Sequence, residues 1–486
     1  MHPEVPPGSV IQSDIPARLD ALAWSSWHRR VIIALGITWI LDGLEASLIA
    51  NLAPTLGDPR ALGLRAAQLG LANSVYLLGQ VGGAILFGRL TDRFGRKRLF
   101  LVTLGLYLGA TAATGLASSF GVFALFRLLA GAGIGGEYAA INSAIDELIP
   151  ARIRGQIDLA INGSYWVGVA AGAGLSVLFL NPRFLPIEIG WRLVFGLGAL
   201  LGLVILLVRR DVPESPRWLL MHGYLREAHT TMTAIEARVR GASIPTPDAI
   251  APKILDVTVS GAASWSHVVR TLFYRYPQRT ALGIALMVAQ AFFYNAIFFS
   301  YGLILQRFHG VRADHVGYYV LPFALGNFLG PLLLGPLFDR WGRRAMIPAT
   351  YAVSGVLLLA SGALFYGGLL NASTQTLCWC CVFFFASSAA SSAYLTVSEL
   401  FPVEMRGIAI ALFYALGTGA GALAPSLFGQ IVDDGSPGRL FAGYALASLL
   451  MLGAAAVARR WCVASEGKSL EAITSHDSRP AERKCQ

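Results

Sequence analysis

A chain of 486 residues that is 55% hydrophobic and only 14% charged does not read as a soluble protein, in which the charged share is about 25%. The formal net charge of +10 does not imply a nucleic-acid partner, because the cations gather in short loops between apolar runs and not on one basic face. The five cysteines have no disulfide or metal-ligand spacing, and Cys378, Cys380 and Cys381 share an apolar run that suits small packing residues.

Residues 1–30 are polar, contain Pro3, Pro6, Pro7 and Pro16, and have no apolar centre for a cleavable leader. They are expected to form a cytoplasmic tail ending in an interfacial anchor, Trp27-His28-Arg29-Arg30. Apolar runs then follow at 31–56, 67–89, 99–117, 120–147, 156–180, 190–208, 281–306, 314–338, 345–367, 375–400, 407–431 and 439–460. A helix crosses the hydrocarbon layer in about 20 residues, and lipid offers no partner for a free backbone amide. The predicted class is therefore an all-α integral membrane protein with twelve transmembrane helices. Arg89, Arg93, Arg96, Lys97, Arg98, Arg152, Arg154, Arg340, Arg343, Arg344 and Arg406 all fall in loops on one side. The opposite loops hold only scattered cations, so the positive-inside rule predicts a multi-pass protein of the cell (inner or plasma) membrane with both termini cytoplasmic.

Asp42 and Glu45, in the first span, are three residues apart and share one helix face. Carboxylates at this depth face a cavity or a partner, which leaves a structural ion pair or a protonation site. In the second span Gly79, Gly82, Gly83 and Gly88 would permit close helix approach. The fourth span carries Arg127 ahead of Gly131, Gly133, Gly135, Gly136 and Glu137. An intramembrane arginine stays charged and needs an acidic partner, Asp42 or Glu45. The long polar stretch 209–280 reads as a cytoplasmic linker with short helices between six-helix bundles at 31–208 and 281–460, and 461–486 as a cytoplasmic C-terminal tail. There is no G-x-x-x-x-G-K-[ST] for nucleotide phosphates, and no span holds H-E-x-x-H or G-x-S-x-G. Neither an enzyme nor a cofactor or metal is expected.

Two motifs occur twice. Gly88–Lys97 (GRLTDRFGRK) and Gly335–Arg344 (GPLFDRWGRR) both read G-x-L-x-D-R-x-G-R-[KR]. Glu147–Gly155 and Glu399–Gly407 both read E-L-x-P-x-x-x-R-G. The two bundles are thus pseudosymmetric copies. The doubled loop resembles the signature of the major facilitator superfamily. The second motif, with Pro213-Glu214-Ser215-Pro216-Arg217-Trp218-Leu219, is similar to its sugar-porter branch and organic-acid-importing relatives, over roughly residues 30–460.

That resemblance implies secondary transport by alternating access. It makes the cluster of Gly88, Asp92, Arg93, Gly95, Arg96, Glu147, Arg154, Asp339, Arg340, Gly342, Arg343, Glu399 and Arg406 a cytoplasmic gate latched by ion pairs, although its charges would also serve as topology markers. R-x-x-x-G-x-G-x-G resembles the superfamily's fourth-helix motif, and Gly43-Leu44-Glu45 occupies the place of a G-Y-D triplet in proton-coupled porters. Glu45 then inherits proton coupling with Arg127, and Asp42 is an unusual neighbour. Gly135-Gly136-Glu137-Tyr138 is similar to organic-acid symporters, with structural pairing of Glu137 equally open.

Solute is expected at the midplane between the halves. Ala289–Asn295 matches the sugar-binding Q-Q-x-x-G-x-N run with Gln290 and Asn295 retained, but the first glutamine is Ala289 and the glycine Phe293. Asn162 and Tyr394 fall where sugar porters place a glutamine and a tryptophan, and Tyr165, Trp166 and Tyr294 complete the substrate-binding set. A sugar hydroxyl left unpaired costs roughly 1–3 kcal/mol, so a lost amide and a gained Phe293 shift the expectation to an aromatic or organic acid. The expected function is proton-coupled import of such a solute by a protein functional as a monomer, with small molecule, protons and lipid bilayer as its partners. The alternatives are a sugar transporter or facilitator, a proton-antiport exporter and a transporter-like solute receptor.

Overall fold

A computed structural model describes residues 4–6, 8–94, 96–180, 184–208, 214–240, 254–259, 265–401 and 406–466. In chain order the elements are β1 (Val10–Ser13), α1 (Ile15–Ala21), α2 (Ser26–Leu56), α3 (Ala66–Phe94), α4 (Arg96–Thr114), α5 (Phe120–Leu148), α6 (Arg154–Gly163), α7 (Tyr165–Phe179) and α8 (Ile187–Val208). Then come α9 (Pro216–Met221), α10 (Leu225–Arg240), β2 (Leu255–Thr258), α11 (Trp265–Arg270), α12 (Pro277–Phe298) and α13 (Tyr301–His309). The last are α14 (Val316–Arg340), α15 (Arg343–Tyr366), α16 (Ala372–Leu400), α17 (Arg406–Gly421), α18 (Leu423–Asp434) and α19 (Pro437–Trp461). Every predicted apolar run is helical, and α6/α7, α12/α13 and α17/α18 are single passes broken in the middle. Among the described residues eight helices are long and apolar enough to cross a membrane.

The breaks and ends follow from local chemistry. Ser164, at the α6/α7 joint, donates its hydroxyl to the Ile161 carbonyl at 2.6 Å and to that of Gly36 at 3.2 Å. Ser300, at the α12/α13 joint, donates to Ile297 at 3.3 Å. Hydroxyls that compete for helix carbonyls bend the helix that holds them. A reciprocal cap between Asn371 and Thr374 opens α16, and Ser436 with Pro437 opens α19.

Glycine seams set the helix spacing. A methyl group at Gly83 would strike the carbonyl of Ala132, one at Gly131 that of Tyr76, and one at Gly135 that of Gln80, so α3 and α5 touch backbone to backbone. Gly133 points the other way, where its added carbon would lie 2.7 Å from the Thr103 carbonyl of α4. Gly82, expected in the seam, faces open space because it is turned out of the line of Gly79 and Gly83, which recur at a spacing of four. On α7, Gly168 abuts the Ile40 carbonyl of α2 in the same manner.

Between the halves α14 lies along α6 and α7, and α3 along α17 and α18. Because α3 and α14 each run into one copy of the doubled motif and carry its first residues, these contacts are one seam used twice. The N-terminal residues are docked and not extended. β1 pairs antiparallel with β2, Val10 opposite Thr258 and Ser13 opposite Leu255, and α1 packs on α9 and α10. Arg18 of α1 holds Glu236 of α10 with bonds of 2.9 and 2.7 Å.

Candidate functional site

Between the two halves lies a cavity lined by residues of both. The predicted solute contacts Asn162, Tyr165, Trp166, Gln290, Tyr294, Asn295 and Tyr394 all line it. The sequence reading missed Trp39, Tyr76, Gln80, Tyr414 and Thr418, which also line it. Trp39 had one available signal, since it precedes Asp42 by three residues and so shares its helix face. Trp166 anchors the wall, its ring 5.7 Å from Tyr294 and 5.4 Å from Phe298, while Trp39 meets Tyr394 edge-on at 6.0 Å. Phe293, expected to enter the pocket, is instead fully buried behind it, 5.4 Å from Phe383. A helix turns about 100° per residue, so the two neighbours Tyr294 and Asn295 face the cavity and Phe293 faces the core. The pocket takes its aromatic character from Phe298, Phe299 and the tyrosines and tryptophans instead.

The two carboxylates of α2 part company. Asp42 lines the cavity, whereas Glu45 is fully buried and accepts a hydrogen bond from Nη1 of Arg127, itself fully buried. Of the two candidate partners for Arg127, the geometry selects Glu45. Lipid and core on all sides make such a pair obligatory, because either charge alone would be uncompensated. The guanidinium of Arg127 also lies 4.1 Å from the centroid of the Tyr76 ring, and Tyr76 is itself in the cavity wall. One ring thus separates the ion pair from whatever fills the cavity.

At the rim that carries the doubled loops, a second cluster joins the halves. Arg343 grips Glu399 through Nε at 3.2 Å and Nη2 at 3.1 Å, and Asp339 through Nη1 at 2.9 Å. Asp339 accepts from the backbone N–H of Gln156 at 2.8 Å, capping the first turn of α6 in the other half. Gly155 makes that approach possible, since a side-chain carbon there would lie 2.5 Å from the Asp339 carboxylate. Arg154 reaches Glu399 at 4.0 Å and Asp20 of α1 at 3.6 Å, and Asp20 also holds Arg217 at 2.8 Å. Ser465 donates to Glu399 at 2.8 Å, and Gly342 adopts a φ of 86° beside Glu466. Just beyond α19, burial pushes the Cys462 thiol up to about 12. Arg340 is exposed and forms no ion pair within the described residues, so it does not join the cluster. Gly95 lies outside the described residues, and so do the surroundings of Gly88, Asp92, Arg93, Arg96, Glu137, Glu147 and Arg406.

The opposite rim also holds contacts between the halves. Asp433 of α18 accepts from the N–H of Ala67 at 3.0 Å, and Ser74 meets Ser426 at 2.7 Å.

Comparison with known proteins decides what kind of molecule this is. Residues 46–475 match the family model described as sugar (and other) transporter. This chain belongs to that family. The transporter is 28% identical over 465 residues to the niacin transporter NiaP of Acinetobacter baylyi, covering 95% of this chain and 99% of that one. It is 23% identical over 411 residues to the 4-hydroxybenzoate transporter PcaK of Pseudomonas putida, covering 83% and 86%. Its fold matches the proton:xylose symporter XylE, a member of the major facilitator superfamily, with a TM-score of 0.72 at 18% identity over 93% of this chain and 99% of that one. The protein is thus a multi-pass membrane transporter with the major facilitator fold, and not an enzyme.

Proposed function

We propose that the transporter imports a small aromatic organic acid together with protons, by alternating access across the cell membrane. The observation that carries this reading is a cavity walled by aromatic rings with the Glu45–Arg127 pair sealed one ring behind it. Aromatic faces bind a flat ring through apolar contact and offset stacking. Two of the amides a sugar would use have their N–H groups committed elsewhere. Asn162 donates to the Asp158 carbonyl at 2.8 Å and Asn295 to that of Ala291 at 2.7 Å.

In this scheme Glu45 is the proton-coupling carboxylate and Arg127 its counter-ion. A proton on Glu45 weakens its hold on Arg127, which keeps the Tyr76 ring as its remaining partner. Tyr76 touches both the arginine and the cavity, so solute occupancy and protonation bias one another and the equilibrium between the two openings. The rim holding Arg343, Glu399, Asp339 and Arg154 serves as the cytoplasmic gate, both termini lie in the cytoplasm, and the monomer is the working unit. The names of two relatives, a niacin and a 4-hydroxybenzoate transporter, support an aromatic acid over a sugar.

Uptake into proteoliposomes tests the reading, using labelled benzoate, pyridine carboxylates, short aliphatic acids, hexoses and amino acids, each with and without an inward proton gradient. The expected outcome is accumulation of an aromatic acid only under the gradient. Gradient-independent equilibration of a hexose would replace this reading with a sugar facilitator.

A further inference from the structure

Asp20 is an acid at the charged rim that neither repeated motif supplies. It belongs to α1, in the N-terminal segment, and its two carboxylate oxygens are used unequally. Oδ2 accepts from Nη2 of Arg217 on α9 at 2.8 Å, and the same nitrogen donates to the Pro16 carbonyl at 3.2 Å. Oδ1 is buried, has no hydrogen-bond partner within the described residues, and lies 3.6 Å from Nη2 of Arg154. Arg154 is in a similar condition. Its side chain is 1% exposed, and its Nε and Nη1 are buried with no hydrogen-bond partner among the described residues. Its one hydrogen bond is a 3.5 Å contact to the Ile149 carbonyl, and Glu399 stands 4.0 Å away on the other side. A buried guanidinium that reaches two carboxylates and hydrogen-bonds neither has one of them in reserve.

The two acids belong to different halves. Glu399, on α16, is held from its own side by Arg343 and Ser465. Asp20 is tied to the N-terminal half, because α1 packs on α9 and α10, and α10 packs on α2. The pairing of β1 with β2, the grip of Arg18 on Glu236 and the burial of Ile15 and Leu19 fix α1 in that place. Parting of α6 from α14 therefore carries Arg154 away from Glu399 while Asp20 travels with it. We propose, resting on the reading of this rim as the gate, that Asp20 is a positioning residue for its opening. As the halves separate, Arg154 exchanges Glu399 for the spare oxygen of Asp20. Each parted face then stays paired, Arg154 with Asp20 and Glu399 with Arg343 and Ser465. Without Asp20 the opened half would hold Arg154 with no acid in reach among the described residues, and an uncompensated charge raises the cost of opening. Asp20 thus adds little to the closed rim, where Glu399 is still near, and acts on the open one.

Leu159 of α6 is fully buried, and a side-chain carbon on Gly335 of α14 would sit 3.7 Å from its Cβ, so a cysteine there becomes reachable when the two helices part. The parent for the test is the full-length transporter with Leu159→Cys and its five native cysteines replaced by serine, labelled with N-ethylmaleimide. Asp20→Asn should slow labelling about threefold, the scale of one partly exposed ion pair. Asp20→Glu, which keeps the carboxylate, should label at the parent rate, and it decides the matter where the first variant does not fold. In an Arg154→Gln background Asp20→Asn should have no further effect, whereas a staple that acts only through Arg217 would slow labelling in either background. Labelling of Asp20→Asn at the parent rate or faster, equal slowing in the Arg154→Gln background, or slow labelling of Asp20→Glu overturns the exchange and leaves the gate standing. Absence of labelling in a parent that accumulates solute would mean that α6 and α14 do not part, and would remove the gate reading itself.

Discussion

Arg127 in the middle of the bundle and Arg343 at the charged rim are almost equally hidden, 0% and 2% exposed, yet they are partnered in opposite ways. Arg127 has one carboxylate, Glu45, and one aromatic face, Tyr76. Arg343 has two carboxylates, and these are in turn held by Gln156, Ser465 and Arg154. Among the described residues the first arrangement is all-or-none, because a single proton neutralises the one carboxylate paired with Arg127. The second is redundant, because each member has a further neighbour to fall back on. A coupling site needs the former, and a gate that opens and recloses in every cycle is better served by the latter.

The largest effect should come from breaking the isolated pair. Glu45→Ala leaves Arg127 uncompensated in the bundle core and should cost about 3–5 kcal/mol, read as a lower melting midpoint in detergent. Adding Arg127→Met should recover most of that loss, since removing both partners is close to neutral. No recovery in the double variant would mean that the pair is not isolated. Glu45→Gln should abolish gradient-driven accumulation while sparing solute exchange, and unchanged accumulation would remove Glu45 from coupling.

Arg343→Ala should be milder, about 1–3 kcal/mol, because Glu399 keeps Ser465 and Arg154. Its clearer signature should be opening of the charged rim, seen as faster thiol labelling of a cysteine placed at Gln156. Asp20→Asn removes only a partly exposed bridge between α1, Arg154 and Arg217, and should cost about 0–1 kcal/mol. A loss as large as that of Glu45→Ala would show that the docked N-terminus is integral to the gate. The smallest effect concerns Cys462. Since burial places its thiol up at about 12, it should resist maleimide at pH 8 in the wild type and label faster in Arg343→Ala.

Much of this was legible from residue types at fixed spacing. The doubled loop and the doubled E-L-x-P-x-x-x-R-G disclosed two related halves, and in the structure Gly155, the last residue of one copy, lies against Asp339 of the other motif across the interface. Gly43-Leu44-Glu45, by its resemblance to a G-Y-D triplet, put Glu45 forward for proton coupling but left Asp42 open as the partner of Arg127. What stayed hidden depended on helix rotation. Tyr76 and Gln80 look like ordinary residues of an apolar span until α3 is packed against α5, and Phe293 looks like a pocket residue until α12 turns it toward Phe383. The clasp of β1 on β2 joins residues some 245 positions apart and left no local pattern to read.

Composition and periodicity alone determined that this chain lives in a membrane as a bundle of helices. Twenty apolar residues without charge have few other stable forms, since lipid satisfies no backbone amide. Only the tertiary structure decided which carboxylate is sealed against Arg127 and which looks into the cavity. Asp42 and Glu45 lie less than a turn apart, and what separates their roles is the position of neighbouring helices, which no single stretch of sequence specifies.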